Sequence, residues 1–213
     1  MKQSIVRALF VLTGIGAFAA PSFATSILLN NCDQVGLCNQ VMVATTLNGD
    51  GTITVNVTDQ PGLPNSGLFG SSGANHAFAF NVKDPDAGVT VTGLTAGFSY
   101  AGAGLNMGGP FGDFEFEIDG PDTGSGASLP LQFTVSRTGG FTNANQLFEL
   151  NSDGYYFEAH VRNNDTGLTG WAAASDQPTV DPHVTAVPEP GSMVLLGSGL
   201  LGLASVVRRR ATK

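Results

Sequence analysis

Positive charge is scarce in this sequence. Only nine Lys and Arg occur in 213 residues, against 17 Asp and Glu. A chain so poor in cations cannot neutralise a phosphate backbone, which excludes a nucleic-acid binder. Charge of either sign is low, at 12%, about half the usual quarter, and this excludes a long charged coiled coil. Two cysteines are too few for a disulfide-stapled miniprotein. Long apolar runs are missing from the interior and occur only at the two ends, so the chain is no polytopic membrane protein. Between the ends no window carries a 3.6-residue apolar stripe. Glycine is abundant instead, with 29 residues, about twice its usual ~7% share.

The amino terminus opens with a short basic region, Met1 to Arg7, then an apolar run from Ala8 to Ala20. Ser22-Phe23-Ala24 follows, with small residues at its first and third places. This is the layout of a secretory signal peptide, with cleavage after Ala24. Signal peptidase and the export machinery are the partners it implies.

The carboxy terminus reads Val187-Pro188-Glu189-Pro190-Gly191, an uncharged stretch to Val207, then Arg208-Arg209-Arg210. As a helix, residues 191–207 would span about 25 Å, enough to anchor in a bilayer with slight thinning. The three arginines would hold their own end in the cytoplasm as a stop-transfer signal. The exported remainder would then lie outside.

Pro-Glu-Pro, an apolar Gly- and Leu-rich segment and a terminal Arg cluster, in that order, resemble the PEP-CTERM sorting tail. The resemblance covers about residues 187–213. It implies a bacterial envelope or extracellular protein whose tail is recognised at Pro188, Glu189 and Pro190 by an exosortase, a membrane protease-transpeptidase. It also implies an association with exopolysaccharide and biofilm.

The domain organisation expected is a signal peptide at 1–24, a β-domain at 25–178, a linker at 179–186 and the sorting tail at 187–213. Residues 25–190 hold all 17 carboxylates and only Lys83, Arg137 and Arg162 as cations, a net charge of −14. Such a body repels anionic lipid surfaces and stays soluble.

Within it, β-branched and aromatic residues alternate over short runs. Examples are Val41 to Leu47, Thr52 to Val57, Ala77 to Val82, Leu131 to Val135 and Tyr155 to Val161. Asn48-Gly49-Asp50-Gly51 reads as a hairpin turn. In Asp113 to Asp119 the Phe114, Phe116 and Ile118 side chains are expected in the core and the four carboxylates in solvent. Gly97 to Gly112 and Asp119 to Ser128 read as long Gly-rich loops. The fold class is all-β: an antiparallel β-sandwich, jelly-roll-like first and immunoglobulin-like second, flanked by the signal helix and a transmembrane helix.

Candidate chemistry is sparse. Cys32 and Cys38 form a local disulfide in an exported chain. Asp119 and Asp122, then Asp84 and Asp86, sit in oxygen-rich loops that suit a structural calcium, although the same residues are ordinary turn formers. No EF-hand spacing occurs. The row Asp113, Glu115, Glu117 and Asp119 reads as a solvated face. Trp171 reads as a sugar-stacking platform or as a plug for the sandwich, and Tyr155 and Tyr156 are further candidates for carbohydrate contact. His76, His160 and His183 form no sequence-level cluster, and the nucleophile elbow G-x-S-x-G is absent.

The expectation is therefore a non-enzymatic surface or extracellular-matrix protein associated with exopolysaccharide. It would be anchored in the inner membrane by its C-terminal helix until an exosortase sorts it. The alternative is a carbohydrate-binding module, supported by calcium or not. A hydrolase ranks third.

Overall fold

A computed structural model describes residues 24–62, 66–68, 76–85, 88–103, 109–120, 127–176 and 179–180. All of them lie in the compact unit Pro21–Pro190. Their strands in chain order are β1 (Ala24–Leu28), β2 (Asn31–Cys32), β3 (Val41–Leu47), β4 (Ile53–Asp59) and β5 (Ser66–Leu68). Then come β6 (Phe78–Phe80), β7 (Thr90–Thr92), β8 (Ser99–Ala103), β9 (Phe116–Asp119) and β10 (Ala127–Ser128). The last are β11 (Leu131–Ser136), β12 (Phe157–Asn163), β13 (Thr169–Ala174) and β14 (Thr179–Val180). One 3-10 turn, Ala144–Leu147, lies between β11 and β12.

The strands form two antiparallel sheets. The first runs β14-β1-β3-β4-β11-β7. In the second, β12 pairs β13 along one side, and β13 pairs β2. The other side of β12 is shared by β6 and β5. Beyond them lie β9 and β8 on β6, and β10 on β5. The chain passes repeatedly from sheet to sheet, and β3, β4 and β11 lie side by side in the first.

In the first sheet the sequence pattern becomes burial directly. β3 and β4 both alternate buried and half-buried residues. Val41, Val43, Ile53, Val55, Val57, Leu131, Phe133 and Val135 point inward and meet Phe78, Phe80, Phe116, Ile118 and Phe157 of the second sheet in one core. Phe133 bridges the sheets, with ring centroids 6.0 Å from Phe78 and 5.5 Å from Phe80. The β3–β4 turn is closed by its own polar groups. Asp50 accepts from the Thr52 backbone N–H at 3.0 Å and its hydroxyl at 2.7 Å, and Gly51 takes φ 79°, where a side chain is strained. Those bonds hold the Asp50 carboxyl below its ordinary range.

The second sheet departs from alternation. β6 is buried at all three positions, and β12 at all but one. Its outer face is covered as well as its inner one. Two expected loops also contain strands: β8 lies within Gly97–Gly112, and β10 ends the Asp119–Ser128 segment. β8 tolerates its glycine because the register shifts between Tyr100 and Gly102, a bulge at which Gly102 has φ 131°. The expected linker opens with β14, which pairs β1 at Thr25 and Ser26. Ala24, the expected cleavage residue, is the first residue of β1. Among the described residues no helix is long and apolar enough to cross a membrane. The expected signal and membrane helices lie outside the described residues.

Phe133 is fully buried where the sheets meet. Truncation by Phe133→Ala should cost about 3–5 kcal/mol, read as a shift in the urea unfolding curve. A loss below about 1 kcal/mol would show that the inter-sheet core closes around the gap.

Candidate functional site

The outer face of the second sheet is where polar groups converge. Ala79 on β6 pairs with Glu117 on one side and Glu158 on the other. Strands alternate their side chains, so all three share the face opposite Phe78, Phe80 and Phe157. Two strand spacings place the glutamate Cα atoms about 10 Å apart, with only the Ala79 methyl between them. One step along, His160 on β12 pairs with Trp171 on β13. Their rings stack at 4.3 Å with 12° between planes.

A covering segment, residues 109–115, closes this face. Phe114 packs with Ala79 and Trp171 in a second apolar cluster, flanked by Phe111 and Tyr155. Phe111 and Tyr155 meet edge to face at 4.9 Å. Asn151 ties the segment down by donating to the Phe111 carbonyl at 2.8 Å. The far end is fixed at Glu115, whose N–H donates to Asn81 at 2.9 Å and whose carboxylate accepts from the Val82 N–H at 3.2 Å. Gly109 lies against the Glu158 carboxyl so closely that a Cβ there would overlap it.

Glu117 and Glu158 are both 0% exposed. Burial pushes the Glu158 carboxyl up to about 8, with Asp33 and Glu117 adding repulsion and the Phe111 backbone N–H partly opposing. That N–H is near enough to favour charge, but neither Glu158 oxygen completes a hydrogen bond of normal geometry. Burial likewise raises Glu117, to about 7, against the opposing field of His76. His76 Nε2 lies 2.8 Å from Glu117 Oε2, as a close contact rather than an aligned hydrogen bond. The other ring nitrogen, Nδ1, contacts Asp119. One histidine thus spans two carboxyls of β9. Both carboxyls are held above the ordinary carboxylate range, Glu158 further than Glu117, so a protonated form that can donate a hydrogen bond is favoured beyond what an exposed glutamate allows.

This changes the expected solvated row. Glu117 does point away from Phe116 and Ile118, as the alternation requires, but its face is covered and the carboxyl is dry. Phe114 joins the outer cluster rather than the main core. Asp113 is exposed as expected, Glu115 is half-buried, and Asp119, its side chain 43% exposed, is engaged by His76. Asp84 lies in an exposed turn at φ 60°. Asp86 and Asp122 are outside the described residues. Among the described residues no three His, Cys, Asp or Glu side chains are arranged to hold a metal ion.

Cys32 and Cys38 form a disulfide. The loop between them is fixed to β13, where Asp33 donates its N–H to the Trp171 carbonyl at 3.1 Å and accepts the Trp171 N–H at 2.7 Å. Trp171 is only 9% exposed, and so is no open platform. Tyr155 is half-buried beside it. Tyr156 faces the other way, into the main core against Phe148 at 6.0 Å. Sequence reasoning missed Glu158 and His76 as site members. The Glu-x-His alternation in β12 was a usable signal, because a strand exposing both residues needs no aromatic partner for its histidine.

The sign of the pH effect follows. Glu117 is protonated in both folded and unfolded chains below its ordinary 4.5. Between that value and about 7 only the unfolded chain gives up its proton. The stability present at low pH is therefore lost as pH rises, by at most ~1.4 kcal/mol per unit for one group. Glu117→Gln, which mimics the protonated acid, should flatten the Glu117 share of this slope between pH 5 and 7 in urea titrations. An unchanged slope would mean that Glu117 is ionised in the folded protein.

Pro188, Glu189, Pro190 and Arg208 to Arg210 lie outside the described residues, and comparison with known proteins addresses them. No curated protein and no solved structure matches the chain. One family model does, over residues 186–210. The match covers the tail alone, and it implies an exported, envelope-associated chain with an exosortase as processing partner. The carboxy-terminal segment is a PEP-CTERM protein-sorting motif.

Proposed function

We propose that the chain is a non-enzymatic surface or extracellular-matrix protein that associates with exopolysaccharide, its acidic sandwich being presented outside the cell after exosortase processing. The observation that carries this reading is the sorting motif at residues 186–210, which follows a self-contained β domain. Three features support it. The body carries 17 carboxylates and three cations, suited to a hydrated matrix. Both buried glutamates are closed off, so no substrate reaches them in this conformation. The strand that leads to the tail, β14, is paired to β1 at one edge of the first sheet, so a pull on the tail acts on a hydrogen-bonded ladder. In this reading the C-terminal helix holds the protein in the inner membrane until the cut near Pro188-Glu189-Pro190. The chain's alternation between sheets favours a jelly-roll-like description.

A carbohydrate-binding module remains the second reading. One observation favours it: Trp171, Tyr155 and Phe111 sit on the same sheet face as two buried carboxyls, a combination suited to a sugar's apolar face and its hydroxyls. Retardation of the protein in gels containing the native exopolysaccharide, abolished by Trp171→Ala, would favour this reading over the matrix one.

Intact mass of the protein isolated from its native envelope tests the principal reading. The expected species starts at Thr25, ends near Pro188–Pro190 and is two hydrogens light for the disulfide. A mass that still includes residues 191–213 would mean that sorting does not occur and that the tail is a plain anchor.

A further inference from the structure

The covering segment closes an aromatic face that has no other lid among the described residues, and its contact with Glu158 is unusual. Gly109 lies directly on the carboxyl, the Phe111 N–H approaches it, and neither oxygen has a well-formed partner. A neutral carboxyl tolerates such a position. A carboxylate does not, because it needs water or donors that the segment displaces.

We propose that Gly109–Phe114 is a proton-controlled flap: it closes over Trp171 and His160 while Glu158 is protonated, and it lifts when Glu158 ionises. The hinge is Glu115, which stays bonded to Asn81 and Val82. The strands beneath keep their ladders, so the change is local. Lifting the flap admits water to Glu158 and costs the Phe111–Tyr155 and Phe114–Trp171 packing and the single Asn151–Phe111 hydrogen bond.

The groups facing Glu158 set the direction of the switch. Asp33 of the disulfide loop, Glu117 on β9 and Asp113 in the flap are acidic. Asp119 and Asp153 lie further out, and Asp153 abuts Gly112. The basic groups are His160 and Arg162 on the same strand and His76, which is engaged with Glu117 and Asp119. β13 contributes Trp171 and Ala173, which do not titrate, and β6 contributes Ala79. Asp33 and Glu117 repel a charge on Glu158, so ionising Glu158 adds repulsion as well as a desolvated charge. Both favour opening, and the transition falls near pH 8, where burial has placed this acid.

Trp171 is the chain's single tryptophan and lies under the flap, so it reports on the switch without a label. The test is its emission maximum and acrylamide quenching from pH 5 to 9.5, on protein isolated from its envelope, beside Glu158→Gln made in the same host. Far-UV circular dichroism is followed in parallel. Wild type should show a red shift and a severalfold rise in quenching centred near pH 8, with its β spectrum unchanged. Glu158→Gln should stay blue and poorly quenched throughout. Gly109→Ala, whose methyl occupies the carboxyl's place, should be red-shifted and quenchable even at pH 5. The proposal is overturned if wild-type Trp171 stays shielded to pH 9.5, or if Glu158→Gln shifts as wild type does. It is overturned too if exposure comes only with loss of the β spectrum, since the change would then be global unfolding.

Discussion

Everything distinctive about this protein follows from one constraint: the middle of its second sheet, β6, β12 and their neighbours, is dry on both faces. A sandwich needs only one apolar face per sheet, and the first sheet obeys that rule in its alternating strands. The second must place its outward-facing residues under a cover that is itself a turn-rich segment. A buried loop carries backbone groups that need partners. Here they come from side chains: Asn151 for the Phe111 carbonyl and Asn81 for the Glu115 N–H. Asn81 is itself buried, and it is held where β6 ends, so the cover and the sheet specify each other's position.

Charge balance sharpens the constraint. The body has three cations for seventeen carboxylates. Arg137 is engaged at some distance from the covered face, with its guanidinium over the Phe141 ring at 4.6 Å and bonded to the Lys83 carbonyl at 2.8 Å. Lys83 itself is exposed. The basic group in contact with a glutamate beneath the cover is His76, 2.8 Å from Glu117, and Arg162 follows His160 in the same phase of β12. A buried carboxyl without a cation is neutralised by retaining its proton. Burial raises both Glu158 and Glu117, the latter against the opposing field of His76. The acidic composition that keeps the surface hydrated thus also makes the covered face sensitive to pH.

What the sequence made legible, and what it did not, divides along the same line. Period-two alternation located β3, β4, β6, β9, β11 and β12 and placed Phe116 and Ile118 in the main core, but not Phe114. The short spacing of Cys32 and Cys38 in an exported chain was enough for their disulfide. Burial of the outer face was not legible, because alternation reports which face a residue is on and is silent about whether anything covers that face. The cover arises from residues 109–115, forty positions and more from β12 and β13, and its glycine content resembles that of any exposed loop. Gly109 is small because a carboxyl lies against it, a reason found only in three dimensions. β8 was hidden for a related cause: Gly102 breaks the pattern at a bulge without ending the strand.

The edge of the first sheet joins this architecture to the sorting tail. β1 pairs β3 over its full length and β14 at Thr25 and Ser26. Ala24 is opposite Thr46 in the same ladder, so the bond expected to be cut after Ala24 lies within paired strand. A peptidase must bind its substrate as an open extended segment, and a central ladder strand is not available in that form. Cleavage at that expected bond would therefore precede the docking of β1 onto β3. β14 can pair only once β1 is in place, because β1 is its one neighbour in the sheet. The order is then imposed by topology. β1 joins β3 and β14 then closes the edge, so the strand preceding the sorting motif is secured after β1. A chain whose β1 has not docked leaves β14 without a partner and its tail tethered to an incomplete edge. The integrity of the amino-terminal strand is in this way coupled to the root of the segment that an exosortase recognises.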